Sequence, residues 1–161
     1  MPPNTTPTTQ KLHAVLSGLS NRYQGILRLY ASRQSAITYS QQKLTYHIDA
    51  MTYEIPGGPA TAVPKANGAT EIYWSKGNWA GFSVFECELV RVGGGGGGGG
   101  GAGMGGGEVG KGNGERGADE EVYLVYELGS YRILGVWDDA KVAYAEAERK
   151  GGLMMPVGFY Y

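Results

Sequence analysis

The stretch VYLVYELGSYRILGVWDDAKVAYAEAERKGGLMMPVGFYY, residues 122–161, decides the fold. It begins with two runs rich in β-branched and aromatic residues, Val122–Leu128 and Tyr131–Trp137, with Gly129 and Ser130 between them. Such runs favour strands, and a glycine between two strands permits the positive φ of a tight turn. This part of the chain therefore predicts a β-hairpin.

A helix is predicted directly after the hairpin. Asp138 and Asp139 suit its N-cap and the positive end of its dipole. One helical face then carries the small or apolar residues Ala140, Ala143, Tyr144 and Ala147. Gly151 suits a left-handed C-cap, and the following run Leu153–Tyr161 predicts a strand that Pro156 bends or places at an edge. The predicted order is β–β–α–β.

A similar order of patterns occurs nearer the N-terminus. Residues 26–43 align without a gap with residues 133–150, and the strand, the polar cap position and the helical face coincide. Leu12–Ser17 predicts the strand before this segment, and Leu44–Ile55 predicts a bulged strand after it. The alignment favours a duplicated β–β–α–β unit, although any strand followed by a capped helix gives a comparable pattern.

The region between the two repeats predicts another hairpin. Its strands are residues 71–74 and 79–92, and Gly77-Asn78 suits the turn between strands. The fold class that follows is α+β, with a mainly antiparallel sheet of about eight strands and two helices packed on it. A ferredoxin-like arrangement is one candidate topology.

Two segments are predicted to be disordered. Residues 1–10 are rich in Pro and Thr, and residues 93–118 hold most of the chain's 29 glycines. Neither can bury enough apolar surface to offset the cost of ordering its backbone. Gly105–Lys111 has the glycine and lysine spacing of a phosphate loop, but glycine stands where that loop needs Ser or Thr. The predicted organisation is a single domain, 11–161, with a first lobe (11–92), a flexible linker (93–118) and a second repeat (119–161).

Charge and cysteine content limit the function classes. The net charge is −1, so the whole chain has no field that would attract nucleic acid or an anionic membrane. Cys87 is the one cysteine, which excludes an intramolecular disulfide. The sequence shows no signal-peptide pattern and no apolar run of the ~20 residues that cross a bilayer. We expect an intracellular protein, cytoplasmic or nuclear, without a membrane partner.

The candidate catalytic residues are His47 and Asp49. At positions i and i+2 of a predicted strand they share a face, as a general base and its orienting carboxylate would. The solvent face of an edge strand gives the same pattern. Cys87 alternates with Phe85 and Leu89, which predicts a core position for the thiol. Neither a metal site nor a cofactor is predicted, because one cysteine and two separated histidines do not supply a zinc ligand set.

The candidate binding residues are aromatic and basic. Trp74 and Trp79 flank the Gly77-Asn78 turn, where they are either exposed for binding or packed across the strands. The first lobe has an excess of basic residues, and its candidate nucleic-acid contacts are Arg22, Arg28, Arg33 and Lys43, with Tyr23 and Tyr30 for base stacking.

The run from Ile26 to Ser40, with its strand, small polar cap and alanine-containing helix, resembles part of the N-terminal hybrid-binding domain of ribonuclease H. That family has a small sheet-and-helix fold and binds RNA/DNA duplexes. The family's glycine–aromatic strand and Ser/Thr-Trp pair do not follow in order in this chain, so the resemblance assigns no residue a role.

The sequence leaves the function open among three hypotheses. The first is a non-catalytic interaction or scaffold module whose partner is a protein, including a second copy of this chain. The alternative is a nucleic-acid-binding module that uses the basic first lobe. The third is a small hydrolase that uses His47 and Asp49.

Overall fold

The computed structural model describes residues 6–19, 22–50, 60–73, 81–92 and 117–161, with the backbone alone for 46–50. Within these ranges the chain has two helices and a mixed sheet, which confirms the predicted α+β class. The strands are β1 (Thr8–Ser17), β2 (Gly25–Tyr30), β3 (Thr61–Pro64), β4 (Thr70–Tyr73), β5 (Phe82–Arg91), β6 (Glu120–Tyr126), β7 (Ile133–Trp137) and β8 (Leu153–Tyr160). The helices are α1 (Arg33–Ala50) and α2 (Ala140–Lys150).

The chain divides into two compact units. The N-terminal unit is Leu12–Glu86, and the C-terminal unit is Met1–Lys11 with Cys87–Tyr161. Strands β1 and β5 each have residues in both units. The single-domain organisation stays a prediction. Strand β1 begins at Thr8, so its first residues fall in the stretch that the sequence predicted to be disordered.

The C-terminal unit is built around β6. This strand pairs antiparallel with β7 on one side and with β8 on the other, and β7 pairs in parallel with the end of β5. Helix α2 packs its Ala143 and Ala147 against Val125 and Trp137. The observed order β6–β7–α2–β8 follows the predicted β–β–α–β order.

Local capping fixes the ends of α2. The Asp139 carboxylate accepts hydrogen bonds from the backbone N–H groups of Lys141 and Val142, at 2.8 and 3.1 Å. Gly151 adopts a φ of 68°, which favours glycine, and ends the helix.

Tyr144 differs from the prediction, because its side chain is exposed beside the buried Ala143. The face of α2 that packs on the sheet is formed by the small residues Ala143 and Ala147.

The N-terminal unit combines a hairpin, a helix and a meander. Strands β1 and β2 pair antiparallel with a register shift between Val15 and Leu16. Strands β3, β4 and β5 pair antiparallel in chain order, and α1 contacts β2 and β4. Strand β3 lies in a stretch that was predicted to be a loop, and the Gly77-Asn78 turn lies outside the described residues.

The predicted strand Leu44–Ile55 is wrong over its first part, because α1 continues to Ala50. The helix contains neither Gly nor Pro to stop it. Among residues 33–45, whose side chains are described, the buried ones follow helical spacing and are Ala36, Ile37, Ser40 and Leu44. Leu44, which is 1% exposed, is buried as part of this helical face, and the helix continues to Ala50 through a sequence whose aromatic and β-branched residues alternate as in a strand. Residues 51–55 lie outside the described ranges.

Candidate interaction site

The connection between β6 and β7 is wider than the two-residue turn predicted at Gly129-Ser130. Strand β6 ends at Tyr126 and β7 begins at Ile133, after a register shift between Val125 and Tyr126. Inside the connection the Glu127 N–H donates to the Arg132 carbonyl at 2.9 Å, and the Tyr131 N–H donates to the Glu127 carbonyl at 3.0 Å. These two backbone bonds close a six-residue loop, residues 127–132.

Tyr131 has an unusual backbone conformation in this loop. Its φ is 55°, and it is the one non-glycine residue with positive φ in the described part of the chain. A residue with a Cβ pays roughly 1–2 kcal/mol in that region. The Tyr131 ring stacks on the Tyr126 ring with 5.7 Å between centroids and 4° between planes. Aromatic contact of this kind contributes about 0.5–1.5 kcal/mol, which offsets much of the strain.

Leu128 projects its apolar side chain from the same loop. It is 73% exposed, the largest exposed fraction among the large hydrophobic residues that the structure describes. Leu153, which is 43% exposed, is the direct cross-strand partner of Tyr126 between β8 and β6. We define the tip patch as the four residues Tyr126, Leu128, Tyr131 and Leu153.

The tip patch has one acidic and one basic residue at its border. The Glu127 Oε2 atom accepts a hydrogen bond from the Ser130 hydroxyl at 2.6 Å and lies 3.7 Å from the Arg132 Nε atom. The side chains of Glu127 and Arg132 are 50% and 70% exposed. An ion pair so open to solvent adds little stability, so both charges remain available to a partner.

A second cluster, the Arg91 clamp, joins the ends of three strands. Arg91 binds Glu120 through two hydrogen bonds, at 2.7 and 3.0 Å. The Tyr161 hydroxyl accepts a hydrogen bond from Arg91 at 3.2 Å and donates one to Glu120 at 3.1 Å. The Val92 N–H donates to Asp138 Oδ1 at 2.9 Å, so the first of the two predicted capping aspartates serves β5 instead of α2.

Electrostatics in the Arg91 clamp follow its geometry. The hydrogen bond from Arg91 lowers the pKa of the Glu120 carboxyl, although partial burial opposes the shift. The same bond raises the pKa of the Arg91 guanidinium. Burial, and then the Glu120 charge, raise the pKa of the Tyr161 phenol. The charged groups satisfy one another, which is typical of a structural network.

The structure brings two of the predicted nucleic-acid contacts together. The Arg28 guanidinium carbon lies 4.4 Å from the centroid of the Tyr39 ring, and Arg28 donates to the Tyr30 hydroxyl at 3.4 Å. Tyr30 is only 7% exposed, so its ring offers little surface on which a base could stack. The sequence missed Tyr39, because its place beside Arg28 depends on how α1 packs on β2.

The other four predicted contacts also lie in the N-terminal unit and are Arg22, Tyr23, Arg33 and Lys43. Arg33 donates to the Thr70 hydroxyl at 2.6 Å. The Tyr23 ring packs edge-on against Phe85, with 5.4 Å between centroids.

The other predicted site residues have different outcomes. His47 and Asp49 lie in α1, where only the backbone is described, and two residues at i and i+2 of a helix do not share a face. The predicted strand that would have paired the two side chains is therefore wrong, and the catalytic role of His47 and Asp49 stays a prediction. Trp74 and Trp79 lie outside the described residues. Cys87 is partly buried.

Among the side chains that the structure describes, no three His, Cys, Asp or Glu residues are placed to hold a metal ion. No described helix is long and apolar enough to cross a membrane. Comparison of the chain with protein-family models, curated proteins and solved structures found no match.

The tip patch was not predicted, because Leu128 and Tyr131 fall at the ends of predicted strands. One signal was present, since Leu128 directly precedes Gly129 at the predicted turn and would have to lie at the end of the hairpin. The strain at Tyr131 has no sequence signal.

Proposed function

We propose that the protein is a non-catalytic interaction module that binds another polypeptide through the tip patch. The observation that carries the proposal is the 73% exposure of Leu128 on a loop that is otherwise held by hydrogen bonds and ring stacking. A loop held in this way loses little conformational entropy on binding. Most of the free energy gained by burying its apolar side chain then contributes to affinity.

The backbone of Tyr131 also supports binding. Strained conformations persist where neighbouring contacts enforce them, and they concentrate at functional sites. Tyrosine is, in addition, among the residue types that dominate interface energetics. The positive φ of Tyr131 directs the chain so that its ring lies on Tyr126 while Leu128 stays exposed. A sequence selected for stability alone would have glycine or asparagine at a position with positive φ.

The test is site-specific photo-crosslinking of the full chain in a lysate of its source cells. One variant has photoreactive benzoylphenylalanine in place of Leu128, and a matched control has it in place of Lys141, an exposed residue of α2. We expect a defined crosslinked peptide from position 128 and none from position 141. Excess unmodified chain should compete with this crosslink, and excess Leu128→Asp chain should not. Equal crosslinking at both positions, or competition by the Leu128→Asp chain, would contradict the proposal.

Two further features complete the proposal. The protein acts in an intracellular compartment, cytoplasmic or nuclear, in keeping with its single cysteine.

The segments β1–β2–α1 and β6–β7–α2 derive from a duplicated unit, which is supported by the hairpin-then-helix order of both segments. That order favours a ββα repeat over a ferredoxin-like arrangement, whose unit has a helix between its first two strands.

A further inference from the structure

We propose that Gly152 is a positioning residue for the tip patch, because it sets the place of the peptide unit from which the loop 127–132 starts. The part of this inference that concerns binding rests on the proposed function. Gly152 lies directly before β8, between the C-cap residue Gly151 and the patch residue Leu153. Unlike Gly151, it does not have a positive φ, so its backbone conformation alone does not require glycine.

The space around Gly152 does require it. A methyl group at this position would lie 2.8 Å from the Tyr126 carbonyl oxygen, 3.0 Å from Leu134 Cδ1 and 3.2 Å from Val125 Cγ1. The two side chains can bend away, but a backbone carbonyl moves only if its strand moves with it. Because ordinary contacts begin at 3.4 Å, alanine would have to separate Gly152 from Tyr126 by about 0.6 Å more.

Gly152 is held from the side of the helix, so the displacement falls on Tyr126. The Gly152 N–H donates to the Ala147 carbonyl at 2.9 Å. The Lys150 Nζ atom donates to the Leu134 carbonyl at 3.0 Å, which ties the end of α2 to β7. Tyr126, in contrast, is the last residue of β6 and leads into the loop.

One peptide unit links this contact to the loop. The Tyr126 carbonyl and the Glu127 N–H belong to the same planar unit and move together. That N–H donates to the Arg132 carbonyl at 2.9 Å and closes the loop. The Tyr126 ring also stacks on Tyr131, and its cross-strand partner is Leu153. A methyl group on the glycine therefore displaces the loop and the tip patch together, and binding sites tolerate displacements of only about 0.5 Å.

The experiment compares Gly152→Ala with Gly158→Ala in the full chain. A methyl group at Gly158 would lie 2.9 Å from the Ala118 Cβ atom, so the control introduces an overlap on the same strand, near its other end. Each variant and the original chain carry 3-fluorotyrosine at position 131, and the fluorine NMR spectrum reports the surroundings of that ring. Each chain is also used, without the label, as a competitor for the crosslink from position 128.

We expect two changes in Gly152→Ala and neither in Gly158→Ala. The fluorine resonance should shift, because the Tyr126 ring beside it has moved. Roughly tenfold more of the Gly152→Ala chain should be needed for the same competition.

Unfolding measurements separate positioning from misfolding. Both variants should unfold cooperatively, and trimethylamine N-oxide, which favours the folded state, is added if either is destabilised. A Gly152→Ala chain that stays unfolded in this osmolyte would make Gly152 a requirement for folding and would overturn the inference.

The inference is also overturned if the fluorine resonance of Gly152→Ala matches that of the original chain, or if Gly152→Ala competes as well as the original chain. In both cases a crosslink at position 128 leaves the proposed function intact. If position 128 gives no crosslink above its control, the proposed function is contradicted, and the fluorine spectrum alone decides whether Gly152 positions the loop.

Discussion

The rings of Tyr126 and Tyr131 are stacked across the loop between β6 and β7, with 5.7 Å between their centroids, and the backbone of Tyr131 has a φ of 55°. The favourable ring contact and the unfavourable backbone conformation therefore belong to the same residue. Because the two are similar in size, the loop keeps its shape at little net cost to folding.

This balance predicts different effects of two substitutions. Tyr131→Gly removes both the strain and the ring, so the free energy of unfolding should change by less than about 1 kcal/mol, while the chain loses its ability to compete for the crosslink at position 128. Tyr131→Phe keeps the ring and should preserve both properties. Chemical denaturation and crosslink competition by the two variants provide the measurements. A Tyr131→Gly chain that still competes would show that the ring is not part of the contact.

The lowered pKa of Glu120 predicts a loss of stability in acid. A carboxyl whose pKa is lower in the folded state stabilises that state above its unfolded pKa, about 4.3, and the contribution is lost as the pH falls through the folded pKa. Glu120→Gln should therefore reduce stability at neutral pH by roughly 1–3 kcal/mol, since it breaks a charged hydrogen-bonded pair.

The measurement is the free energy of unfolding from pH 7 to pH 3. Stability should depend less on pH in Glu120→Gln than in the original chain below about pH 4.3. The matched control is Glu121→Gln, an exposed neighbour on the same strand, which should leave the profile unchanged. Parallel profiles for the original chain and Glu120→Gln would refute the assignment.

The N-cap of α2 predicts a local stability effect. Asp139→Ala removes the acceptor of two backbone hydrogen bonds and should cost about 1 kcal/mol. Asp139→Ser should recover most of this loss, since serine caps nearly as well. Lys141→Ala, an exposed change in the same turn, is the control for thermal or chemical unfolding. Loss of less than a few tenths of a kcal/mol in Asp139→Ala would contradict the capping role.

Replacing residues 93–118 by a short Gly/Ser turn should leave the fold intact. The ends of this segment are already held, because Arg91 binds Glu120 and the Asp119 N–H donates to the Phe159 carbonyl at 3.0 Å. Loop-closure entropy changes by only about 0.6 kcal/mol for each halving of length, so stability should stay level or rise slightly. Circular dichroism and cooperative unfolding test this, and loss of a cooperative transition would count against it.

The predictions from sequence succeeded where neighbouring residues decide the structure. Helix α2 begins after Asp139 and ends at Gly151, and both caps act through hydrogen bonds within a few residues. The hairpin of β6 and β7 was predicted for the same reason, although its loop is wider than expected. The predictions failed in α1, where Leu44 is buried on a helical face and the helix continues to Ala50.

The features of the candidate site depend on tertiary contacts and not on local sequence patterns. The Arg91–Glu120 pair joins residues 29 positions apart, and no local pattern links them. The exposure of Leu128 and the positive φ of Tyr131 depend on where β6 and β7 stop pairing.

By itself, therefore, the sequence determined the α+β class and the capped helix α2, because backbone hydrogen bonds and side-chain periodicity act over a few residues. Only the tertiary structure decided the extent of α1, the contacts of Arg91 and the surface at Leu128. Each of these depends on which side chains lose water when distant segments pack together, and that is a property of the assembled chain.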